Sequence, residues 1–490
     1  MIVHKFGGTS VGNAERFASV AETVIAQQAL TNPVVVVSAM SGVTNALVAG
    51  ARAAAEGKDA VYREIRVDLL RKHLDVVSEL LGHSPERLDV GGLIEDRLHD
   101  LERLYRSIAV LGELTVRGCD AVASLGERLS SHILAAVLRE RGVRAQAISA
   151  TELIVTDDSF GAAVPRMDLT RQRLQERLLP MVNRGVIPVI TGYIGATEGG
   201  VTTTLGRGGS DYTAAIVGAG LDADEVWVWS DVSGILSADP NIVPQARTIR
   251  ELSYAEAAEL AYYGADVLHP KTIRPVTENG IPLRILNSYE PDQPGTLIVE
   301  SPRPDRERLP AIISTTGLAL IAVGSADDSW DLHMSAWVLQ KLCDAGIDVL
   351  MFSQSFSEHS LNLVVREQDH AHCIRIVCRE FGGVESEVEP SGALSARLSD
   401  GAITVRLGDV CNLGTREKVA TISVVGVPGW RDAGIVSHAF AALGRYGTRV
   451  IAVAQAASEY SVSFCIPEDQ VEETVRFLHR ELGLESGQEE

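Results

Sequence analysis

An open, mostly parallel α/β sheet flanked by helices, followed by two small α+β modules, is the architecture this sequence predicts. Three observations carry the expectation. Over residues 1–300 short β-branched runs alternate with helical stretches; a proline-rich charged segment then breaks the pattern; beyond it a motif recurs at a fixed offset. Alternating strand and helix marks a parallel sheet with helices on its faces.

In chain order, Ile2–Phe6, Pro33–Ser38, Ile187–Thr191, Glu225–Ser230 and Pro282–Asn287 read as strands. Ala14–Gln28, Arg128–Glu140, Asp211–Ala219 and Tyr254–Tyr262 read as helices. Between about 50 and 120 the pattern turns helical and charged, as in Tyr62–Leu80 and Glu95–Leu111, which predicts a helical insertion riding on a sheet domain of residues 1–300. Pro302, Pro304 and Pro310, set among dense charge, predict a linker at 301–310. Beyond it, Ser353-Gln354-Ser355-Phe356-Ser357-Glu358 lines up with Ala454-Gln455-Ala456-Ala457-Ser458-Glu459, an offset of 101 residues. Gly346 with Gly447, and Ile321–Gly324 with Ile422–Val425, keep the same register. Two copies are too few for a solenoid. A duplicated βαββαβ module fits better, with halves at 311–400 and 401–490 that interleave.

A chain of 490 residues has room for about three domains at roughly 150 residues each. Hydrophobic residues at 46% and charged ones at 22% are ordinary for a globular protein. A formal charge of −21 argues against nucleic acid or an anionic membrane as partner, while leaving room for a small anion in a local pocket. The six cysteines include no C-x-x-C pair and read as reduced thiols. His370-Ala-His372-Cys373 gathers metal-ligand types but lacks a second half-site, so no metal site is assigned. With a strand at the N-terminus and no apolar run of about 18–20 residues, a cytoplasmic protein is expected.

Chemistry gathers at strand ends. Lys5-Phe6-Gly7-Gly8-Thr9-Ser10 closes the first strand, where exposed backbone N–H groups cradle phosphate oxygens and a lysine neutralises charge. By itself a Gly-Gly turn is equally a tight turn. Ser38-Ala39-Met40-Ser41-Gly42-Val43-Thr44-Asn45 closes a second strand, with helix capping by Thr44 or Asn45 as the plain alternative. Thr202–Asp211 sets Arg207 among three glycines, a bidentate fork for a carboxylate, and Ser210-Asp211 then opens a helix. Ser230 and Asp231 end another strand, at the edge where open α/β sheets hold ligands. No Ser-His-Asp order, cysteine–histidine pair or G-x-S-x-G elbow is present. Phosphoryl transfer to a small anion is the natural reading, because it needs positioning and charge neutralisation more than a base.

These motifs, with Ser124-Leu125-Gly126-Glu127 and Val267-Leu268-His269-Pro270, resemble those of the aspartate kinases of the amino acid kinase superfamily, nearly end to end. The resemblance implies transfer of the ATP γ-phosphoryl, with Mg2+, to the β-carboxylate of L-aspartate, the committed step toward lysine, methionine and threonine. It implies catalytic roles for Lys5 and Asp211, and aspartate binding by Ser41, Thr44, Glu127, Arg207 and Ser210, with Glu127 meeting the ammonium and Arg207 a carboxylate. Gly7, Gly8, Ser230 and Asp231 fall on the nucleotide side. So do Leu236, Asn241 and Asp266, which stand where the family has a tyrosine, an arginine and a lysine on ATP. Weakened ATP binding is therefore expected, with Lys271 or Arg274 as replacement cations. The repeated modules resemble tandem ACT domains, which bind end-product amino acids; Asp348, Gln354, Ser357 and Glu358 are the candidate residues for lysine and/or threonine. A homodimer or homotetramer is implied. The alternative is a catalytically impaired amino-acid-sensing subunit, motivated by the three nucleotide-side departures.

Overall fold

The computed structural model describes residues 1–262, 270–303, 309–325, 331–355, 360–382, 396–397, 403–407, 411–426, 434–455 and 461–485. They form two compact units. The first gathers Met1–Ile235, Thr248–Tyr262 and 270–303; the second gathers Leu236–Arg247 and the described residues from 309 onward.

The first unit begins with β1 (Ile2–Phe6), α1 (Ala14–Thr31) and β2 (Val34–Val37). Asn13 caps α1 by accepting from the Arg16 amide at 2.9 Å. Residues 43–123 then fold into four helices: α2 (Val43–Ala55), α3 (Asp59–Leu81), α4 (Pro85–Leu111) and α5 (Val116–Ala123). Pro85 starts α4 where a missing N–H costs nothing. Val90, Ile94, Leu98, Leu101, Tyr105 and Ile108 then keep one face of it buried at helical spacing.

The chain continues through α6 (Leu125–Glu140), β3 (Ala145–Ile148), β4 (Val155–Thr156), α7 (Met167–Asn183), β5 (Ile187–Thr191), β6 (Ile194–Thr197), β7 (Thr202–Thr204), α8 (Gly209–Gly220) and β8 (Glu225–Ser230). It ends in β9 (Glu251–Ser253), α9 (Tyr254–Tyr262), α10 (Pro270–Glu278), β10 (Leu283–Asn287) and β11 (Thr296–Val299). The main sheet has the order β3-β5-β2-β1-β8-β10-β11-β9, parallel from β3 to β10, with β11 antiparallel to β10. This is the mostly parallel, helix-flanked sheet the alternating pattern predicts. β4, β6 and β7 make a separate three-stranded sheet.

Phe6, Val35, Val37, Ile187, Val189 and Trp229, alternating along their strands, share a core with Phe17, Leu47, Val76, Leu101 and Leu134 of the helices. Because successive strand residues point to opposite faces, Lys5 leaves β1 on the side away from Phe6. There it meets α8.

The second unit is an antiparallel sheet with helices. β12 (Ala311–Ser325), α11 (Leu332–Asp344), β13 (Val349–Ser355), β14 (Ser360–Arg366) and α12 (Glu367–Gly382) come first, then the short β15 (Ala396–Arg397) and β16 (Ile403–Leu407). β17 (Cys411–Val425), α13 (Gly434–Arg445), β18 (Ala452–Gln455), β19 (Ser461–Pro467) and α14 (Val471–Glu481) repeat the first series. The repeat is exact where it is easiest to measure: Ile321 pairs with Leu363 on β12 and β14, and Ile422 pairs with Phe464 on β17 and β19. Ala238 and Val243 lie in this unit's core with Phe464 and Leu478.

Candidate functional site

A cavity of about 540 Å³ opens at the C-terminal ends of β1, β2 and β5. Lys5, Gly8, Ser41, Thr44, Glu127, Arg207, Ser210 and Asp211 all line it, so eight residues singled out in the sequence converge on one place. Parallel strands put their C-terminal ends on one edge, and β1 lies between β2 and β8, where the chain changes direction across the sheet.

Lys5 Nζ stands 2.6 Å from Asp211 Oδ1, both largely shielded from solvent. Asp211 sits in the first turn of α8, behind Gly208, whose φ of +67° suits glycine. Ammonium and helix N-terminus together make a positive locus for an anion. Gly8 is required at its place: a Cβ there would lie 3.0 Å from the Ala39 carbonyl oxygen. The Ser41 amide donates to Gly8 O at 3.1 Å, tying the β1 and β2 loops together. Thr44 and Asn45 do not cap α2. Gly42 holds the N-cap position with φ +79°, which leaves Thr44 and Asn45 in the first turn and on the cavity wall.

Glu127 is buried in the first turn of α6, and its Oε2 has no hydrogen-bond partner. Burial pushes its carboxyl up to about 7, against the opposing pull of nearby backbone N–H groups at Glu127 and Ala39. One oxygen of this buried carboxyl on the cavity wall is thus left without a protein partner, which suits it to receive a cation. Arg207 is exposed at the rim.

The remaining candidates lie elsewhere. Gly7 is not on the cavity wall but adjoins it: its amide is 3.4 Å from Trp229 O, and a Cβ placed on it would lie 3.5 Å from Lys5 Nζ. Ser230 ends β8, its hydroxyl donating to Asp231 Oδ1 at 3.1 Å, and Asp231 is exposed. Leu236 and Asn241 are not on the cavity wall. They fall in the second unit: the Asn241 amide is held by Asp239 Oδ1 at 3.0 Å, and neighbouring Ser237 Oγ lies 2.9 Å from His479 Nε2. Arg274 pairs with Glu278 at 2.7 Å. Asp348 is exposed before β13 and Gln354 is half-buried near its end. Asp266, Ser357 and Glu358 lie outside the described residues.

Tyr193 and Gly161 also line the cavity and were not among the sequence candidates. Tyr193 follows β5 with φ +68°, a conformation a non-glycine residue rarely holds, and burial pushes its phenol up. The strand-end rule that found the other loops applies here too: Thr191-Gly192-Tyr193 follows a strand that the sequence shows plainly. Lys72 of α3 reaches in from the insertion and donates to the Ser41 carbonyl at 2.6 Å.

A parallel α/β fold with a cationic, glycine-lined anion locus beside one buried unpaired carboxylate defines a phosphotransferase for a small zwitterion. Comparison with known proteins agrees. The Amino acid kinase family matches residues 1–287, and an ACT domain matches residues 422–482. Aspartokinase 1, chloroplastic, from Arabidopsis thaliana is 33% identical over 99% of this chain and 80% of its own length. Lysine-sensitive aspartokinase 3 of Escherichia coli K12 is 30% identical over 98% of this chain and 99% of its own. The crystal structure of E. coli aspartokinase III with aspartate and ADP superposes with a TM-score of 0.77 at 28% identity, covering 99% of this chain and 100% of that one. The chain belongs to the amino acid kinase family and, within it, to the aspartokinases.

Proposed function

We propose that this chain transfers the γ-phosphoryl group of ATP to the β-carboxylate of L-aspartate, giving 4-phospho-L-aspartate and ADP. The cavity carries the reading: Glu127 offers one buried negative charge for an ammonium, Arg207 a fork for the α-carboxylate, and Lys5 a positive charge where the phosphoryl group passes. The β-carboxylate is ionised at neutral pH, so its oxygen attacks phosphorus without a general base. One O–P bond forms as the bond to the β,γ-bridging oxygen breaks. Lys5 and the α8 N-terminus then offset charge that builds on the transferring group.

In this reading Ser41, Thr44 and Ser210 donate hydrogen bonds to aspartate, while Asp211 holds Lys5 in place. Gly7, Gly8, Ser230, Asp231, Leu236, Asn241 and Asp266 are the residues proposed to serve the nucleotide. Mg2+ arrives with ATP and shields its phosphates; the exposed Asp231 carboxylate is the group suited to hold it.

The catalytic domain spans 1–300 with its insertion at about 50–120, a linker spans 301–310, and interleaved ACT modules occupy 311–400 and 401–490. Lysine, threonine or both are the proposed effectors, through Asp348, Gln354, Ser357 and Glu358; the lysine-sensitive E. coli relative supports lysine. The product leads toward lysine, threonine and methionine. Among the described residues β13 pairs only with β14 and β18 only with β19, which favours a homodimer or homotetramer. No described helix is long and apolar enough to cross a membrane. Cys119, Cys343, Cys373, Cys378 and Cys465 are free thiols, in keeping with the proposed cytoplasmic location.

Hydroxylamine trapping with aspartate and MgATP, with and without lysine or threonine, tests the reading. Hydroxamate is expected, and its suppression identifies the effector. A folded protein that forms none refutes the kinase reading in favour of a sensing subunit.

A further inference from the structure

Asp120 lies on α5, seven residues before Glu127, and only 2% of it is exposed. The two carboxylates sit on consecutive helices, on either side of the α5–α6 junction at Ser124. Glu127 reaches the cavity itself; Asp120 stops behind it. Asp120 Oδ2 accepts from the Gly161 amide at 2.9 Å and from the Thr204 amide at 3.0 Å. Its Oδ1 accepts from the Thr204 hydroxyl at 2.7 Å. All three donors are uncharged groups of other segments, so this buried carboxyl spends its hydrogen-bonding capacity on tying those segments together.

It holds two loops. Gly161 is a cavity-wall residue in the 157–164 loop, which Asp157 closes by accepting from the Ser159 and Val164 amides at 3.2 and 2.9 Å. Thr204 ends β7, three residues before Arg207. Between and beyond them stand Gly206 and Gly208, with φ +82° and +67°, which bring no side chain to fix the arginine's base. Position is instead set at Thr204, where the Asp120 carboxylate adds to two main-chain bonds: Ala163 N to Thr204 O and Leu205 N to Tyr193 O, each 2.9 Å.

We infer that Asp120 is a positioning residue for the aspartate end of the cavity, one buried carboxylate that registers the Gly161 loop and the base of the Arg207 loop against the helix bearing Glu127. The inference rests on the aspartate-kinase reading, since it assigns the anchored loops to amino-acid recognition. Asp120 is not on the cavity wall, so its expected effect is on the aspartate end through the loops it anchors.

The test is a set of variants assayed for aspartate KM, ATP KM and kcat by hydroxamate formation, with calorimetric titration of L-aspartate as a readout free of turnover. Asp120→Ala is expected to raise aspartate KM and Kd by about tenfold or more, with ATP KM within about twofold. Asp120→Asn keeps one oxygen for the two amides and turns its own amide toward the Thr204 hydroxyl, so it recovers aspartate KM to within about threefold of wild type. Should Asp120→Ala not fold, Thr204→Val carries the test, with Tyr193→Phe as its control because the Thr204 hydroxyl also meets the Tyr193 phenol. Aspartate KM is expected to rise about threefold in Thr204→Val beyond any change in Tyr193→Phe, with ATP KM unmoved; the absence of that excess overturns the inference. Aspartate KM unchanged in the folded alanine variant, or both KM values moving together, overturns the inference. Wild-type protein that forms no hydroxamate and binds no aspartate refutes the kinase reading, and the inference falls with it.

Discussion

Replacing Glu127 with glutamine preserves the shape of the side chain and removes only its charge, so the size of its effect measures what that charge does. In the unliganded cavity burial raises the carboxyl from 4.5 to about 7, equivalent to about 3 kcal/mol against its ionised form. At pH 8 the group is ionised regardless. A ligand ammonium about 4 Å away then gains about 4 kcal/mol at an effective dielectric constant near 20. Glutamine forfeits most of that, so aspartate KM is expected to rise on the order of 10² to 10³-fold at pH 8, with ATP KM nearly constant.

The pH profile supplies the sign. Below about 7 wild-type Glu127 takes up a proton, and aspartate KM rises as pH falls; the glutamine variant shows no such limb. Stability runs the other way. Between 4.5 and about 7 the folded state keeps a proton that the unfolded state has released, so wild-type stability falls as pH rises through this window, and Glu127→Gln escapes the loss. The variant is thus expected to bind aspartate worse and melt higher at pH 8. Hydroxamate kinetics across about pH 6–9, with thermal melts of the apoprotein, read both effects. An aspartate KM within about threefold of wild type at pH 8 would refute an ammonium partner for Glu127.

Three further outcomes follow from named contacts. Lys5→Met removes the cation paired with Asp211 at 2.6 Å, and kcat is expected to fall by about 10² to 10³ with a much smaller change in aspartate KM; a KM effect alone would assign Lys5 to binding. Lys72→Met cuts the 2.6 Å bond to the Ser41 carbonyl, and kcat/KM is expected to drop roughly tenfold without a fall in melting temperature. Buried His4 is held neutral, pushed down to about 3 by burial, while its unfolded form protonates near 6.5. Acidification through that interval therefore favours unfolding. His4→Gln, which keeps an acceptor for the Trp229 indole now 3.2 Å from His4 Nδ1, should move the acid-unfolding midpoint to lower pH, followed by tryptophan fluorescence.

The sequence makes residues legible when chemistry forces their type at a recognisable place. Lys5, Ser41 and Ser210 stand at strand ends or helix starts, and period-2 and period-3.6 patterns place those ends within a residue or two. The 101-residue repeat is visible in the sequence, and the structure shows the same offset in its ladders, Ile321 with Leu363 and Ile422 with Phe464. Segment 236–247 is harder. The resemblance alone gives Leu236 and Asn241 a nucleotide role; nothing in the local pattern shows that Ala238 and Val243 join the apolar core of the second unit. Local pattern says that a residue will be buried, not against which distant element.

The same limit hides the residues that hold the site rather than form it. Asp120 is one of 65 acidic residues, and nothing local distinguishes it from a solvated helix carboxylate. Its meaning depends on donors at 161 and 204, supplied by loops from another part of the chain. Lys72 is equally anonymous within a charged helix until Ser41 is placed beside it. Yet the arrangement follows from a constraint the sequence does state. A loop built as Gly206-Arg207-Gly208-Gly209 gains close backbone approach and gives up side-chain anchors, so its position has to be set from outside. A glycine-rich binding loop therefore implies a buried polar group at its base, and the helix carrying the neighbouring contact residue is the shortest route to one. Here that helix route is α5–α6, and Asp120, seven residues before Glu127, is the group that meets the need.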